Sequence, residues 1–145
     1  MRRLLLDTSV LIKWFHAEGE AELPEARILR SAHVNGDLDV HMIDLALYEI
    51  GNVLVRALSW DPVDVADQLD DLLAIVGPPL TISPDWLRQA ALLAYQHDLT
   101  FYDASWAAAS AELKVPLVSA DRKLQGAGLA ESPTQACLRL QLSPR

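Results

Sequence analysis

The sequence predicts an α/β domain built on a central, mostly parallel sheet flanked by helices. Short continuous apolar runs of strand length alternate with longer stretches of helical periodicity, the pattern of strands buried on both faces by crossover helices. Two of these runs end at once in a carboxylate, Asp7 and Asp121. No repeat, linker or low-complexity tract breaks the 145 residues, of which 51% are hydrophobic, so one domain spanning 1–145 with a sizeable core is expected.

The first strand is read at 3–6, where an apolar run meets a polar stop. A short helix over 10–15 follows, with Asp7, Thr8 or Ser9 as its N-cap. Leu23, Ala26, Ile28 and Leu29 within an acidic stretch predict a helix over 18–34, and Asn35-Gly36-Asp37 a turn before a strand at 38–42. Asp44 offers an N-cap for a helix carrying Leu47, Tyr48, Ile50, Leu54 and Leu58 at helical spacing, with Glu49, Asn52 and Arg56 on the opposite face. Asp61 with Pro62, and Ser83 with Pro84, are each an N-cap followed by the favoured first helical residue. They open helices to about 76 and 97, with a short strand at 80–82 between. "LTFYDASWAAASAEL" reads as a further helix and "VPLVSAD" as a strand ending in an acid, while the alternation in "ACLRLQL" predicts an edge strand.

Lys and Arg total 12 against 20 Asp and Glu, a formal charge of −8. Such a balance argues against a protein that grips phosphates with basic side chains alone, and leaves nucleic acid open only through metal ions. The single Cys137 excludes an internal disulfide. No segment reaches the roughly 20 uninterrupted apolar residues of a membrane span. The apolar stretch before Asp7 is too short for a secretory signal, and a cytoplasmic protein is expected.

In an open parallel sheet, sites form beyond the carboxyl ends of the strands, which puts Asp7 and Asp121 on one rim. Glu49 on the polar side of its helix and Asp103 in the first turn of the Ala-rich helix are placed to join them. Each acid has a plainer account. Asp7 would be a helix N-cap, Asp103 the acidic member of a capping box with Thr100, Asp121 the cap of the turn at Arg122, and Glu49 a solvated partner of Arg56. As a group, four unpaired carboxylates would repel one another unless divalent cations lay among them. An all-oxygen donor set, with no Cys pair or closely spaced His pair, points to Mg²⁺ or Mn²⁺ rather than zinc. His16, His33, His41 and His97 are read as structural or surface residues, with His97 nearest a site segment. Trp14, Trp60, Trp86 and Trp106 are read as core or interface anchors.

"LLLDTSVLI", "LYEIGNVLVRAL" and "LTFYDASWAAASAELKVPLVSADRKL", in that order and at those separations, resemble the motifs of PIN-domain ribonucleases, most closely the VapC toxins of toxin–antitoxin pairs. The resemblance covers essentially the whole chain. It implies a parallel sheet flanked by helices, a cluster of acids binding Mg²⁺ or Mn²⁺, and hydrolytic cleavage of RNA. It matches Asp7, Glu49, Asp103 and Asp121 to the family's four acidic positions, Thr8 and Ser9 to the hydroxyls beside the first acid, and Asn52 to a polar neighbour of the second. Ser119 departs from the pattern, standing where the family more often has Thr. The implied reaction is an in-line displacement yielding a 5′ phosphate and a 3′ hydroxyl, with ions that activate water and stabilise the departing oxygen. Two such ions would change the formal charge from −8 to −4. Lys13, Arg56, Arg122 and Lys123 are close to the motifs and are candidate contacts to flanking phosphates.

The same resemblance implies a cognate VapB-like antitoxin and a homodimer, with the helices at 23–29 and 45–58 as candidate dimer surface. An antitoxin Arg would reach toward Asp7 and Asp103, with Trp14 as an apolar anchor for the rest of the segment. Two rivals keep part of the pattern. One is a non-catalytic PIN-like module whose acids hold a partner's Arg side chains. The other is a haloacid-dehalogenase-like phosphohydrolase, which also starts with a strand and an Asp but needs a second Asp two residues on, where Ser9 stands.

Overall fold

The computed structural model describes residues 2–144. β1 (Arg3–Leu6) lies at the centre of a parallel sheet of order β2–β1–β3, with β2 at Asp39–His41 and β3 at Leu117–Val118. Leu4 pairs opposite Val40, and Leu6 opposite Val118. Single parallel bridges, Ile43 to Leu80 and Val118 to Glu131, extend the hydrogen bonding at both edges. Leu4, Leu5 and Leu6 are wholly buried, as a strand covered on both faces requires.

The helices are α1 (Thr8–Leu11), continued by a 3₁₀ turn (Ile12–Trp14); α2 (Leu23–Val34); α3 (Leu45–Asn52), continued by a π turn (Val53–Ala57); and α4 (Pro62–Val76). They are followed by α5 (Pro84–His97), α6 (Phe101–Leu113), α7 (Arg122–Gly126) and α8 (Pro133–Leu140). α4 and α5 begin as their N-cap–Pro pairs dictate, Asp61 accepting from the Asp64 N–H and Ser83 from the Trp86 N–H. α6 packs along α5 and carries buried Ala104, Ala107, Ala108 and Ala109, small enough to let it sit deep in the core beside Trp106. His33 ties three elements together: its Nδ1 accepts from the Val40 N–H at 3.0 Å, which leaves Nε2 to donate to the Ile75 carbonyl at 2.7 Å.

The structure departs from the sequence reading at particular places. "ACLRLQL" belongs to helix α8, not an edge strand. Ser132 and Gln135 close a capping box around Pro133, and Pro133, Ala136, Cys137 and Leu140 form a buried stripe at helical spacing that outweighs the short alternation. Removing that cap by Ser132→Ala is expected to cost about 1 kcal/mol in urea unfolding. The strand expected at 80–82 shrinks to one bridge at Leu80, since Pro79 beside it has no N–H for a ladder. The helix expected over 18–34 begins only at Leu23, because Pro24 fixes its first turn and Glu22 before it is left-handed at φ 56.

The α3 helix loosens after Asn52 into the π turn, with the Leu58 N–H reaching back to the Val53 carbonyl, a wider loop that residue spacing does not reveal. Asp44 stands at the N-cap of α3 but makes no side-chain cap bond. Ala26, Leu29, Ala46, Ile50 and Leu54, from the helices proposed as a dimer surface, are buried in the core instead. Trp14 is likewise buried, its indole N–H donating to the Ala26 carbonyl at 2.9 Å, and offers no anchor to a partner. No helix among the described residues is long and apolar enough to cross a membrane.

Candidate active site

Asp7 follows β1 directly and Asp121 comes shortly after β3, so parallel strand ends bring both to one rim. α3 adds Glu49 and the first turn of α6 adds Asp103. All four carboxylates line a single open cleft of about 420 Å³, with Thr8, Ser9, His16, Val53 and Trp106 among its other walls.

Asp7 is 4% exposed. It stands at the N-cap of α1 yet makes no side-chain cap bond, so the plain capping account fails for it. Its Oδ1 instead accepts from the Ser9 hydroxyl at 2.5 Å, and Ser9 Oγ accepts from the Ala120 N–H at 2.9 Å, stapling the end of β1 to the segment after β3. Fully buried Ser119 lies with its Oγ 3.4 Å from that of Ser9 and accepts from the Asp121 N–H at 3.0 Å. Burial pushes the Asp7 carboxyl up to about 6; the Ser119 and Ser9 hydroxyls oppose the rise, and the charges of Asp103 and Glu49 add to it. Ser9→Ala is therefore expected to raise the Asp7 pKa further, read by carboxyl NMR titration. Leaving the Ala120 N–H without this partner should also cost about 1–2 kcal/mol in stability.

Glu49 is not a solvated partner of Arg56. Its Oε1 accepts from Thr8 Oγ1 at 2.9 Å and from the Trp106 indole N–H at 3.1 Å. Asp103 is raised above the ordinary carboxylate range, first by burial and next by the charge of Asp121. Asp121 does cap α7, as the plain account has it, accepting from the Lys123 N–H at 2.7 Å.

Residues 4–128 match the PIN domain family. The chain belongs to that family. This removes the phosphohydrolase rival of haloacid-dehalogenase type. The PIN domain's fold is similar to that of the protein PAE2754 from Pyrobaculum aerophilum, with TM-score 0.68 and 23% identity over 97% of this chain and 96% of that one. It is also similar to Mycobacterium tuberculosis VapC20, described as a sarcin-ricin loop cleaving toxin, with TM-score 0.70 and 22% identity over 88% and 97% of the two chains. A chain of a toxin–antitoxin complex from Klebsiella pneumoniae aligns with TM-score 0.67 and 17% identity over 90% and 97%. No curated protein matches the sequence.

Other residues singled out in the sequence fall outside the PIN domain's cleft. Asn52 is exposed and lines a neighbouring cavity. Lys13 is buried, its ammonium 2.7 Å from Glu20, so it is engaged inside the protein rather than presented to a phosphate. Lys123 donates to the Asp98 carbonyl at 2.5 Å, while Arg56 and Arg122 are exposed and do not line the cleft. The histidine that lines the cleft is His16, not His97. Sequence reasoning also missed Trp106 as the residue that positions Glu49; the signal was its place one helical turn beyond Asp103, on the same side of α6.

The four acids supply only oxygen donors, the chemistry of a hard divalent cation. Among the described residues no group of three or more His, Cys, Asp or Glu side chains is arranged to hold a metal ion. Asp121 is turned to α7, so gathering the acids on one ion takes rotation of that side chain, while Thr8 and Trp106 both hold Glu49 through a single carboxylate oxygen, Oε1. Their donor chemistry fits the ion that the PIN family implies.

Proposed function

We propose that this PIN domain is a Mg²⁺- or Mn²⁺-dependent endoribonuclease and the toxin component of a toxin–antitoxin pair. One observation carries the reading: four carboxylates from four separate segments line one cleft at the carboxyl ends of parallel strands, with Asp7 buried among them. A buried carboxylate with two more acids raising its pKa is costly unless a cation or a proton compensates it. VapC20, described as a toxin that cleaves the sarcin-ricin loop, and the Klebsiella toxin–antitoxin complex support RNA as substrate and an antitoxin as partner.

Asp7, Asp103, Glu49 and Asp121 would hold the ion, which when bound supplies Lewis acidity at the scissile phosphate. Ser9 and Ser119 orient Asp7 and favour its charged form. Thr8 and Trp106 fix the carboxylate of Glu49. Asp7 gives up its proton as the cation binds, so metal affinity rises with pH through about 6. A VapB-like antitoxin would inhibit by placing an Arg fork against the same carboxylates, in competition with metal. The protein would act as a homodimer, with an interface outside the buried residues of α2 and α3.

The test is to incubate the purified protein with end-labelled RNA in Mg²⁺, Mn²⁺ or EDTA, and separately with p-nitrophenyl phosphate. Fragments bearing 5′ phosphates, formed only with metal, are the expected result. RNA left intact under every metal condition would sink the reading. It would favour a non-catalytic module whose acids bind a partner's arginines.

A further inference from the structure

A second cavity of about 440 Å³ adjoins the acidic cleft and shares Thr8, Glu49 and Val53 with it. Leu45, Tyr48, Asn52 and Tyr102 complete its walls. Tyr48 immediately precedes Glu49 on α3, and Tyr102 immediately precedes Asp103 on α6, so each helix that aims an acid at the cleft sets an aromatic ring beside it. Both rings are left to solvent, Tyr48 at 76% and Tyr102 at 61% exposure, although tyrosine is commonly half-buried. Among the described residues no Lys or Arg lines this cavity and Glu49 is its single acid, in a chain that is otherwise strongly acidic. Its walls therefore suit a flat, neutral group rather than a phosphate. Asn52 adds an exposed amide able both to donate and to accept. A nucleobase sits one sugar away from its own phosphate, and two cavities with shared walls meet that requirement.

We propose that this cavity receives one nucleobase of a single-stranded RNA, next to the phosphate held in the acidic cleft, with the Tyr48 and Tyr102 rings as stacking surfaces and Asn52 as a hydrogen-bonding contact. The proposal rests on the ribonuclease reading and adds base recognition to a site otherwise read through backbone phosphate. Stacking would supply affinity for any base, and the Asn52 amide would favour some bases over others.

The experiment compares two end-labelled probes by fluorescence anisotropy in Ca²⁺: a 12-mer RNA pool of randomised sequence and a 12-mer ribose-phosphate strand without bases. Wild-type protein is expected to prefer the base-bearing pool by about tenfold or more. Tyr48→Ala and Tyr102→Ala should each shrink that preference about tenfold, while Tyr48→Phe and Tyr102→Phe keep it, since the ring and not the hydroxyl stacks. Both rings are exposed, so the variants should melt near wild type. Alanine variants that keep the preference overturn the proposal, as do phenylalanine variants that lose it. Alanine variants that convert a dimer to a monomer in light scattering also overturn it, by making this patch a contact between copies of the chain. Cleavage of the same pool by wild type in Mg²⁺ or Mn²⁺ is scored separately. If the pool is cleaved and the preference is absent, the subsite alone fails; if it is not cleaved, the ribonuclease reading fails and the subsite with it.

Discussion

Asp7→Asn is expected to lower metal-dependent RNA cleavage by roughly a thousandfold, the equivalent of about 4 kcal/mol of transition-state stabilisation. The same substitution should make the metal-free protein more stable at neutral pH. The Asp7 carboxyl is raised from its ordinary 3.8 to about 6, chiefly by burial, so the folded state holds this proton more tightly than the unfolded chain. Its contribution to stability is then complete below pH 3.8 and is lost as pH rises through about 6. Above that, the ionised group penalises the metal-free fold by up to about 3 kcal/mol. Wild-type protein in EDTA should therefore melt at progressively lower temperature between pH 4 and pH 7, with Asp7→Asn removing much of that slope. Asp103 is raised in the same direction and supplies a further part of it, so Asp103→Asn should also flatten the profile and lose cleavage. An Asp7→Asn protein that cuts RNA at the wild-type rate would mean that the chemistry lies elsewhere.

The second large effect belongs to Trp106, which is 1% exposed and donates its indole N–H to Glu49. Trp106→Ala should cost about 4 kcal/mol, since a large aromatic is removed from a packed interior, and in urea the variant should unfold well below wild type. Trp106→Phe fills most of the space and removes only the donor, leaving Thr8 to hold Glu49 alone. Its expected signature is a Mn²⁺ affinity lowered about 10- to 100-fold in a protein that still folds, because groups that orient metal ligands typically carry that much. Wild-type Mn²⁺ affinity and cleavage in Trp106→Phe would show that the indole hydrogen bond is only structural.

Much of the fold was legible because its signals are local. The Leu4–Leu6 run, the Asp61–Pro62 and Ser83–Pro84 starts and the Asn35-Gly36 turn each follow from a few neighbouring residues. Helix α8 replaces the expected edge strand because Ser132–Pro133 repeats the start signal of α5, upstream of the few alternating residues that by themselves resemble a strand. The candidate site was legible as a set of acids, since strand ends of a parallel sheet converge without any need to know the packing. What could not be read were relations across the core. Ser9 bridging Asp7 to Ala120, Trp106 bonding Glu49, His16 reaching the cleft and Lys13 turning inward to Glu20 all depend on how α1, α3 and α6 pack. Nearness in sequence mistook Lys13 for a phosphate contact, which its burial overturns, and of the two readings of Trp14, core or interface anchor, burial selects the core.

The central claim, that the acidic cleft is a divalent-metal site governed by Asp7, is tested most directly by titrating Mn²⁺ into wild-type and Asp7→Asn protein calorimetrically at pH 6, in two buffers of different ionisation enthalpy. The account predicts that wild type binds Mn²⁺ with release of about half a proton from Asp7, and that Asp7→Asn binds at least about 100-fold more weakly without that release. Mn²⁺ binding of equal strength and equal proton release in the two proteins would contradict it.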